Sequence, residues 1–304
     1  MNSTVTTRID PDACIGCGRC VDVCPAGTIS MQEGRGVVTG TYSMNCGHCE
    51  AVCPAEAVTV TSLEHPFFLA SAAVDDRWLP HGEYDTGQLV RLMRSRRSCR
   101  NFEKKAIDRR LLEDLVRIGT TAPSGTNSQS WTFTVLAGRR EVETLGAEVA
   151  GFFRKLNRNA AKASLRLMAK IFARDRLGEY YRRYYKTVQE GLELWEREGA
   201  DTLFHGAAAV ILVGGRKSAS SPREDALLAS QNILLAAHSL GLGSCMIGFA
   251  VAAINRDTKI QRLLKIPAAE SVHAAIALGY PAERYEKAAF RKNVPIRYPL
   301  GSKS

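Results

Sequence analysis

Residues 14 to 25 read CIGCGRCVDVCP, and Cys14, Cys17, Cys20 and Cys24 follow the spacing C-x2-C-x2-C-x3-C with Pro25 behind them. Two-residue spacers let a chain wrap an iron–sulfur cube while its amides point at the cluster sulfurs. In this spacing three thiolates hold one cube and the fourth reaches a neighbouring one. Paired C-x2-C units also suit zinc, but the third close cysteine and the trailing proline favour iron. The pattern returns at 42 to 54, YSMNCGHCEAVCP, with Cys46, Cys49, Cys53 and Pro54, and Ser43 stands where the first cysteine of the repeat belongs.

Two further stretches carry polar groups in dense array. In RSRRSCRNF, residues 94 to 102, Arg96, Arg97, Ser98 and Arg100 fall within five positions. A basic run alone is more often a solvated face than a site, yet forked guanidinium donors also engage phosphate bidentately. In TTAPSGTNSQSWTFTVLAG, residues 120 to 138, Ser124, Gly125, Asn127 and Gln129 precede the strand TFTVL. Amides that donate and accept, presented at a strand edge, suit the pyrimidine edge of a flavin.

The elements that must hold these groups follow from periodicity. Gly34, Gly36 and Gly40 read as turn residues of a short hairpin between the cysteine motifs, and AVTVTSLE alternates as a strand after the second. Residues 63 to 86 mix proline, glycine and aromatics without a period and read as a linker. A helix begins near Asp85 or Thr86, because Leu89, Leu92, Met93 and Arg96 share one face; LLEDLVRI, 111 to 118, is another. From about 150 to 204 the chain reads as an inserted run of helices, with Tyr180, Tyr181, Tyr184, Tyr185 and Trp195 at near-helical spacing, more often core than substrate pocket. AAAVILVGG is a buried strand, and Ser221-Pro222 opens a helix apolar on nearly every side, which implies a central or subunit-interface position. GLGSCMIGF, residues 241 to 249, brings small residues against something flat; VHAAIALGYP closes the sheet. Cys245 and His238 have no visible catalytic partner and read as packed residues.

Seven of nine cysteines lie in the first 53 residues, so cysteine use is local ligation in a reducing, cytoplasmic setting. The N-terminus lacks an apolar leader core, and no apolar run is long enough to span a membrane. Net charge is +10, but residues 1 to 65 carry three arginines against seven carboxylates, a balance of −4, leaving +14 on the rest. An acidic head on a basic body points to electrostatic docking, within the chain or with an acidic electron carrier, and to a phosphate-bearing cofactor. No nucleic-acid-binding module is recognisable. Eleven basic residues against Asp175 and Glu179 between Phe152 and Lys186 mark a face that could receive the head or a carrier.

Residues 10 to about 62 resemble a bacterial-type ferredoxin with two clusters. That resemblance implies Cys14, Cys17, Cys20 and Cys53 for one 4Fe-4S cluster and Cys24, Cys46 and Cys49 for the other. Ser43, His48 or a water then completes the second cluster, or the site holds a three-iron cluster. The RRS-x-R-x-F and APS-x-x-N-x-Q-x-W stretches resemble the nitroreductase family of FMN enzymes. By that resemblance Arg96, Arg97, Ser98 and Arg100, with Arg291 and Lys292 in AAFRKNVP, hold the FMN phosphate and the N1/O2 side of the ring. Ser124, Gly125, Asn127 and Gln129 lie near ring or ribityl, often across a dimer interface, and Met246, Ile247 and Gly248 lie over the isoalloxazine with a backbone N–H toward N5.

The implied architecture is α+β: a ferredoxin-like head at 1 to 62, a linker at 63 to 86 and a nitroreductase-like domain at 87 to 304 with a mixed sheet, forming an intertwined homodimer. The implied activity is single-electron delivery from clusters to FMN, which reduces a small acceptor such as a nitro compound, quinone, activated alkene or halogenated aromatic. The donor is a ferredoxin or NAD(P)H. An electron-transfer subunit of a larger complex and an iron–sulfur redox sensor are the other readings of the same residues.

Overall fold

The computed structural model describes residues 4–64, 66–172 and 174–299. In the head, β1 (Thr7–Ile9) pairs with a later strand, followed by α1 (Arg19–Asp22), the hairpin β2 (Ile29–Gln32) and β3 (Arg35–Val38), α2 (His48–Ala51) and β4 (Val58–Val60). The pairs β1–β4 and β2–β3 are both antiparallel. The hairpin turns at Glu33 and Gly34, both at positive φ, so Gly36 and Gly40 are not its turn residues. Each one-turn helix is entered through a left-handed glycine, Gly18 at φ 74 and Gly47 at φ 77, a conformation that only glycine adopts freely. This sharp entry turns Cys20 and Cys49 inward, where they pack with Ile29, Val58 and Val60.

Residues 63 to 85 contain no helix or strand among the described residues. They are nevertheless anchored. Leu69 is buried, and the carboxylate of Asp114 accepts the N–H groups of Ala70 and Ser71 at 2.9 and 2.7 Å.

The body begins with α3 (Thr86–Ser95), capped by the Asp85 carboxylate accepting from Gln88 N–H at 2.7 Å, and α4 (Arg109–Gly119), capped by Asp108. Such caps satisfy N–H groups that the first helical turn leaves open. Then come β5 (Trp131–Leu136), α5 (Arg139–Ala161), α6 (Ala163–Phe172), α7 (Arg176–Arg183), α8 (Tyr185–Glu198) and β6 (Ala209–Arg216). The chain closes with α9 (Pro222–Ser239), β7 (Gly243–Met246), α10 (Gly248–Ile254), α11 (Thr258–Leu263) and β8 (Glu270–Gly279). The sheet has the order β5-β6-β8-β7. Its named strands are antiparallel throughout, and the expected mixed character is confined to a parallel bridge between Ser98 and Ser244 at the β7 edge.

Central position explains the composition of β6, whose residues 209 to 215 are all buried. On one face α4 and α9 cover it with Leu112, Leu115, Ala229 and Ile233; on the other, α5 and α10 supply Leu145, Val149, Phe153 and Ile254. Truncating one such leucine to alanine costs about 2–5 kcal/mol. The inserted helices begin inside α5, a 23-residue helix whose first half is core, so the insertion grows from a structural element and not from a loop. Its aromatics pack: Phe153 and Tyr184 both meet Phe249 edge-on, and Tyr180 donates to Asn157 Oδ1 at 2.6 Å. Helix α9 buries one face only; Leu227 and Leu228 on its other flank are exposed in the single chain.

The expectation that the basic face of the insertion receives the head is corrected here. The head contacts the body at the 124–130 loop, through Asn127. Several cations of the insertion are paired within it, including Arg154 with Glu196 at 2.7 Å, Arg182 with Asp175 and Arg183 with Glu179.

Candidate functional site

In the head, Cys14, Cys17, Cys20 and Cys53 line one hollow; Cys24, Ser43, Cys46, Cys49 and His48 line the other. Each motif thus sends its last cysteine to the other hollow. Four cysteines around one hollow and three beside Ser43 around the other are the donor numbers of two iron–sulfur clusters. Backbone N–H groups address the sulfurs, from Gly36 to Cys14 at 3.5 Å, Thr28 to Cys24 at 3.3 Å and Ala57 to Cys53 at 3.3 Å. The Gly36 N–H foremost pulls the Cys14 thiol down; at Cys24, burial opposes ionisation but the amides and hydroxyl around Thr28 outweigh it. Ser43 is buried, and its hydroxyl accepts the Asn45 N–H at 3.0 Å, which fixes it at the wall of the second hollow.

The second centre lies where residues 96 to 103 run along the sheet edge. Cys99 N–H donates to Ser244 at 2.9 Å and Glu103 N–H to Tyr280 at 2.8 Å, which lays the arginine segment beside β7. Arg96 is the C-cap of α3 and half-buried. Burial foremost, then the charges of Arg291 and Arg97, lower its pKa, while Cys245 is also within electrostatic reach. Arg100 acts on Cys245 and His205. Arg96, Arg97, Arg100 and Arg291 form no ion pair among the described residues. Like charges gathered without an anion are unfavourable, and a phosphate group relieves precisely that deficit without needing any rearrangement of charge elsewhere. Lys292 is exposed, without a described hydrogen bond.

At the adjoining loop the two expected backbone donors separate. The Ile247 N–H is committed to Ala275 O at 2.8 Å within the sheet. Gly248, exposed at the first turn of α10, has an N–H with no helical acceptor, so it is the donor left for a ligand, beside exposed Met246. Ser244 Oγ, buried without a hydrogen-bond partner, is a further polar atom that sequence reasoning passed over. The donor set therefore fits a phosphate-bearing flavin. Burial raises the Cys245 thiol, consistent with a packed residue.

The remaining predicted residues lie elsewhere. Ser124, Gly125, Asn127 and Gln129 form a tight turn in which Thr126, Asn127 and Gln129 all have positive φ, between 43° and 53°, a strain typical of functional loops. Asp225, near the start of α9, holds this turn: it accepts Gly125 N–H at 2.9 Å and Ser128 Oγ–H at 3.3 Å. The arginine site adjoins the opposite end of that helix, where burial and then Arg96 lower the pKa of His238. Asp225 and His238 are thirteen residues apart on one helix, about 20 Å at 1.5 Å per residue. The two halves of the expected flavin site therefore adjoin opposite ends of α9. Asp225 was readable only as one of two acidic residues in a first helical turn.

With this geometry, a single assignment accounts for both centres. The chain belongs to the nitroreductase family of flavin oxidoreductases, whose profile matches residues 93–280, and carries a 4Fe-4S dicluster domain over residues 6–62. A 4-nitrobenzoate reductase from Nocardioides sp. is 25% identical over 219 residues, 69% of this chain and 85% of that protein. Ferredoxin-2 from Desulfomicrobium norvegicum is 55% identical over 29 residues, 10% of this chain and 49% of its own. The crystal structure of a nitroreductase with bound FMN from Bacteroides fragilis has the same fold, with a TM-score of 0.50 and 22% identity over 72% of this chain and all of that one.

Proposed function

We propose that the protein is a homodimeric, FMN-dependent oxidoreductase in which two head clusters feed a flavin that reduces a small acceptor. The single observation that carries this reading is the group Arg96, Arg97 and Arg291, gathered near Cys245 without an ion pair among the described residues, in a chain whose head has two cysteine-lined hollows. Bound FMN supplies two-electron or hydride chemistry, and 4Fe-4S clusters supply single electrons. The chain's own residues bind and orient. Arg96, Arg97, Arg291 and Lys292 hold the phosphate; Ser98 and Arg100 flank the ring; Gly248 N–H faces its reactive edge; Ser124, Gly125, Asn127 and Gln129 of the partner subunit complete the site. The exposed flank of α9, Leu227 and Leu228, supports a subunit interface.

Cys14, Cys17, Cys20 and Cys53 ligate the first cluster; Cys24, Cys46 and Cys49 ligate the second, with the Ser43 oxygen as its fourth donor. No helix among the described residues is long and apolar enough to cross a membrane, in keeping with a cytoplasmic enzyme served by an acidic one-electron carrier such as a ferredoxin. The similarity to a 4-nitrobenzoate reductase makes nitroaromatic acids the first acceptors to try. Anaerobic reconstitution followed by metal and flavin analysis tests the reading: the expected content is one FMN and about eight irons per chain, the sum of two four-iron cubes. Absence of bound FMN overturns the enzyme; an iron count near half that removes the second cluster.

A further inference from the structure

The head is fixed to one half of the flavin site and separated from the other. Asn127 Nδ2 donates to Met44 O at 3.0 Å and to Asn45 O at 3.1 Å. Two carbonyls facing one side-chain amide require its NH2 group there, so both N–H bonds of Asn127 serve the head. Met44 also lines the hollow formed by Cys24, Ser43, Cys46 and Cys49, and the clamp therefore sits at the wall of the second cluster's site. Tyr42, Met44 and Asn45 of the head, with Asn127, Gln129 and Trp131 of the body, border a cleft of about 1240 Å³. That exceeds the roughly 300–1,000 Å³ of a typical small-molecule site.

The arginine group adjoins the other end of α9, and Asp225 and His238 are about 20 Å apart by helical rise. On the dimeric reading above, in which the 124–129 loop of the partner subunit completes the flavin site, the head clamped to that loop is the partner's. We propose that each head delivers its electrons in trans, to the flavin bound by the arginines of the other subunit, from the Ser43 side, with Asn127 as the positioning residue. The proposal rests on the dimeric FMN reading above. Each crossing oxidises a reduced cluster and adds one electron to the flavin; two crossings, with protons from water, complete its reduction, and an external one-electron carrier supplies the electrons.

Two doubly tagged heterodimers of the full chain test this. In the first, one subunit carries Arg96→Ala and Arg291→Ala with an intact head, and the other has intact arginines with Cys46→Ser and Cys49→Ser. Its one flavin should bleach with a reduced ferredoxin at the wild-type rate per flavin. In the second, all four substitutions lie on one subunit beside a wild-type partner; its flavin should still bind but lose that bleaching. Delivery in cis gives the reverse pattern, and equal rates in the two dimers also overturn the proposal. FMN content, measured on each dimer, separates these outcomes from failure of the flavin reading itself. Independently of electron flow, Asn127→Leu should raise amide hydrogen exchange across residues 42 to 46 while iron content holds. Unchanged exchange there removes Asn127 from the role.

Discussion

Asp114 and Ser71, 43 positions apart, are joined by a 2.7 Å hydrogen bond from the Ser71 backbone N–H to the Asp114 carboxylate. This bond, with its neighbour from Ala70, straps the linker that carries the head onto α4. Burial raises the Asp114 pKa, but donation from Ser71 and Ala70 outweighs it and holds the carboxyl below its ordinary value. A depressed carboxylate contributes its stability above about pH 3.9 and loses it as pH falls through the folded-state value. Asp114→Ala should lower stability by about 1.5–3 kcal/mol, the range for hydrogen bonds to charged groups. Denaturant melts should show this near neutrality, with the gap from wild type closing at the acid end. Proteolysis should also begin within residues 66 to 85.

Asp225 plays the corresponding part for the flavin-side loop, accepting both Gly125 N–H and the Ser128 hydroxyl while almost fully buried. Asp225→Ala leaves those donors without an acceptor, at about 1–3 kcal/mol. Calorimetric titration should show weakened FMN binding even though Asp225 does not touch the flavin, because the turn that presents Gln129 is no longer held. Unchanged affinity in a folded variant would exclude the loop from the site.

Arg96 should contribute most of the phosphate grip, because its charge is half-buried among other cations. Removing a charge-assisted bond of about 1.5–3 kcal/mol corresponds to a rise in FMN Kd of roughly 10- to 150-fold. Arg96→Ala should fall in that range, and Arg96→Lys between it and wild type, since a point charge lacks the fork. The wild-type Kd should also rise with salt.

At Ser43, a thiolate is a softer iron ligand than an alkoxide. Ser43→Cys should keep the first cluster's EPR signal and slow the loss of the second in air. If neither iron content nor the second signal responds, Ser43 is not at a cluster.

Tyr180 tests the packing of the insertion. Burial foremost pushes its pKa up to about 12, so its neutral form contributes stability fully below about pH 10 and loses it as pH rises through the folded value. Tyr180→Phe leaves Asn157 Oδ1 without its donor and should cost about 0.5–1.5 kcal/mol near neutrality. It should also flatten the alkaline limb of the stability curve, read by circular dichroism.

Ligand chemistry was legible in the sequence because it is local. The C-x2-C spacing, the arginines within five positions and the caps Asp85 and Asp108 each depend on residues a few bonds apart, whose geometry short-range sterics fix. The helix around Leu112 and Leu115 and the buried strand at 209 to 215 were readable for a similar reason, since solvent exclusion imprints a period on the chain. Several features were decided only by folding. The last cysteine of each motif crosses because the two half-motifs pack against one another. Ile247 loses its N–H to Ala275, a strand distant in sequence, and Gly248 keeps its own. The acidic head settles on Asn127, which donates to Met44 and Asn45, and not on the basic helices. The separation of the arginines from the 124–129 loop by the length of α9 has no local signature. It follows from which ends of one helix two distant segments reach.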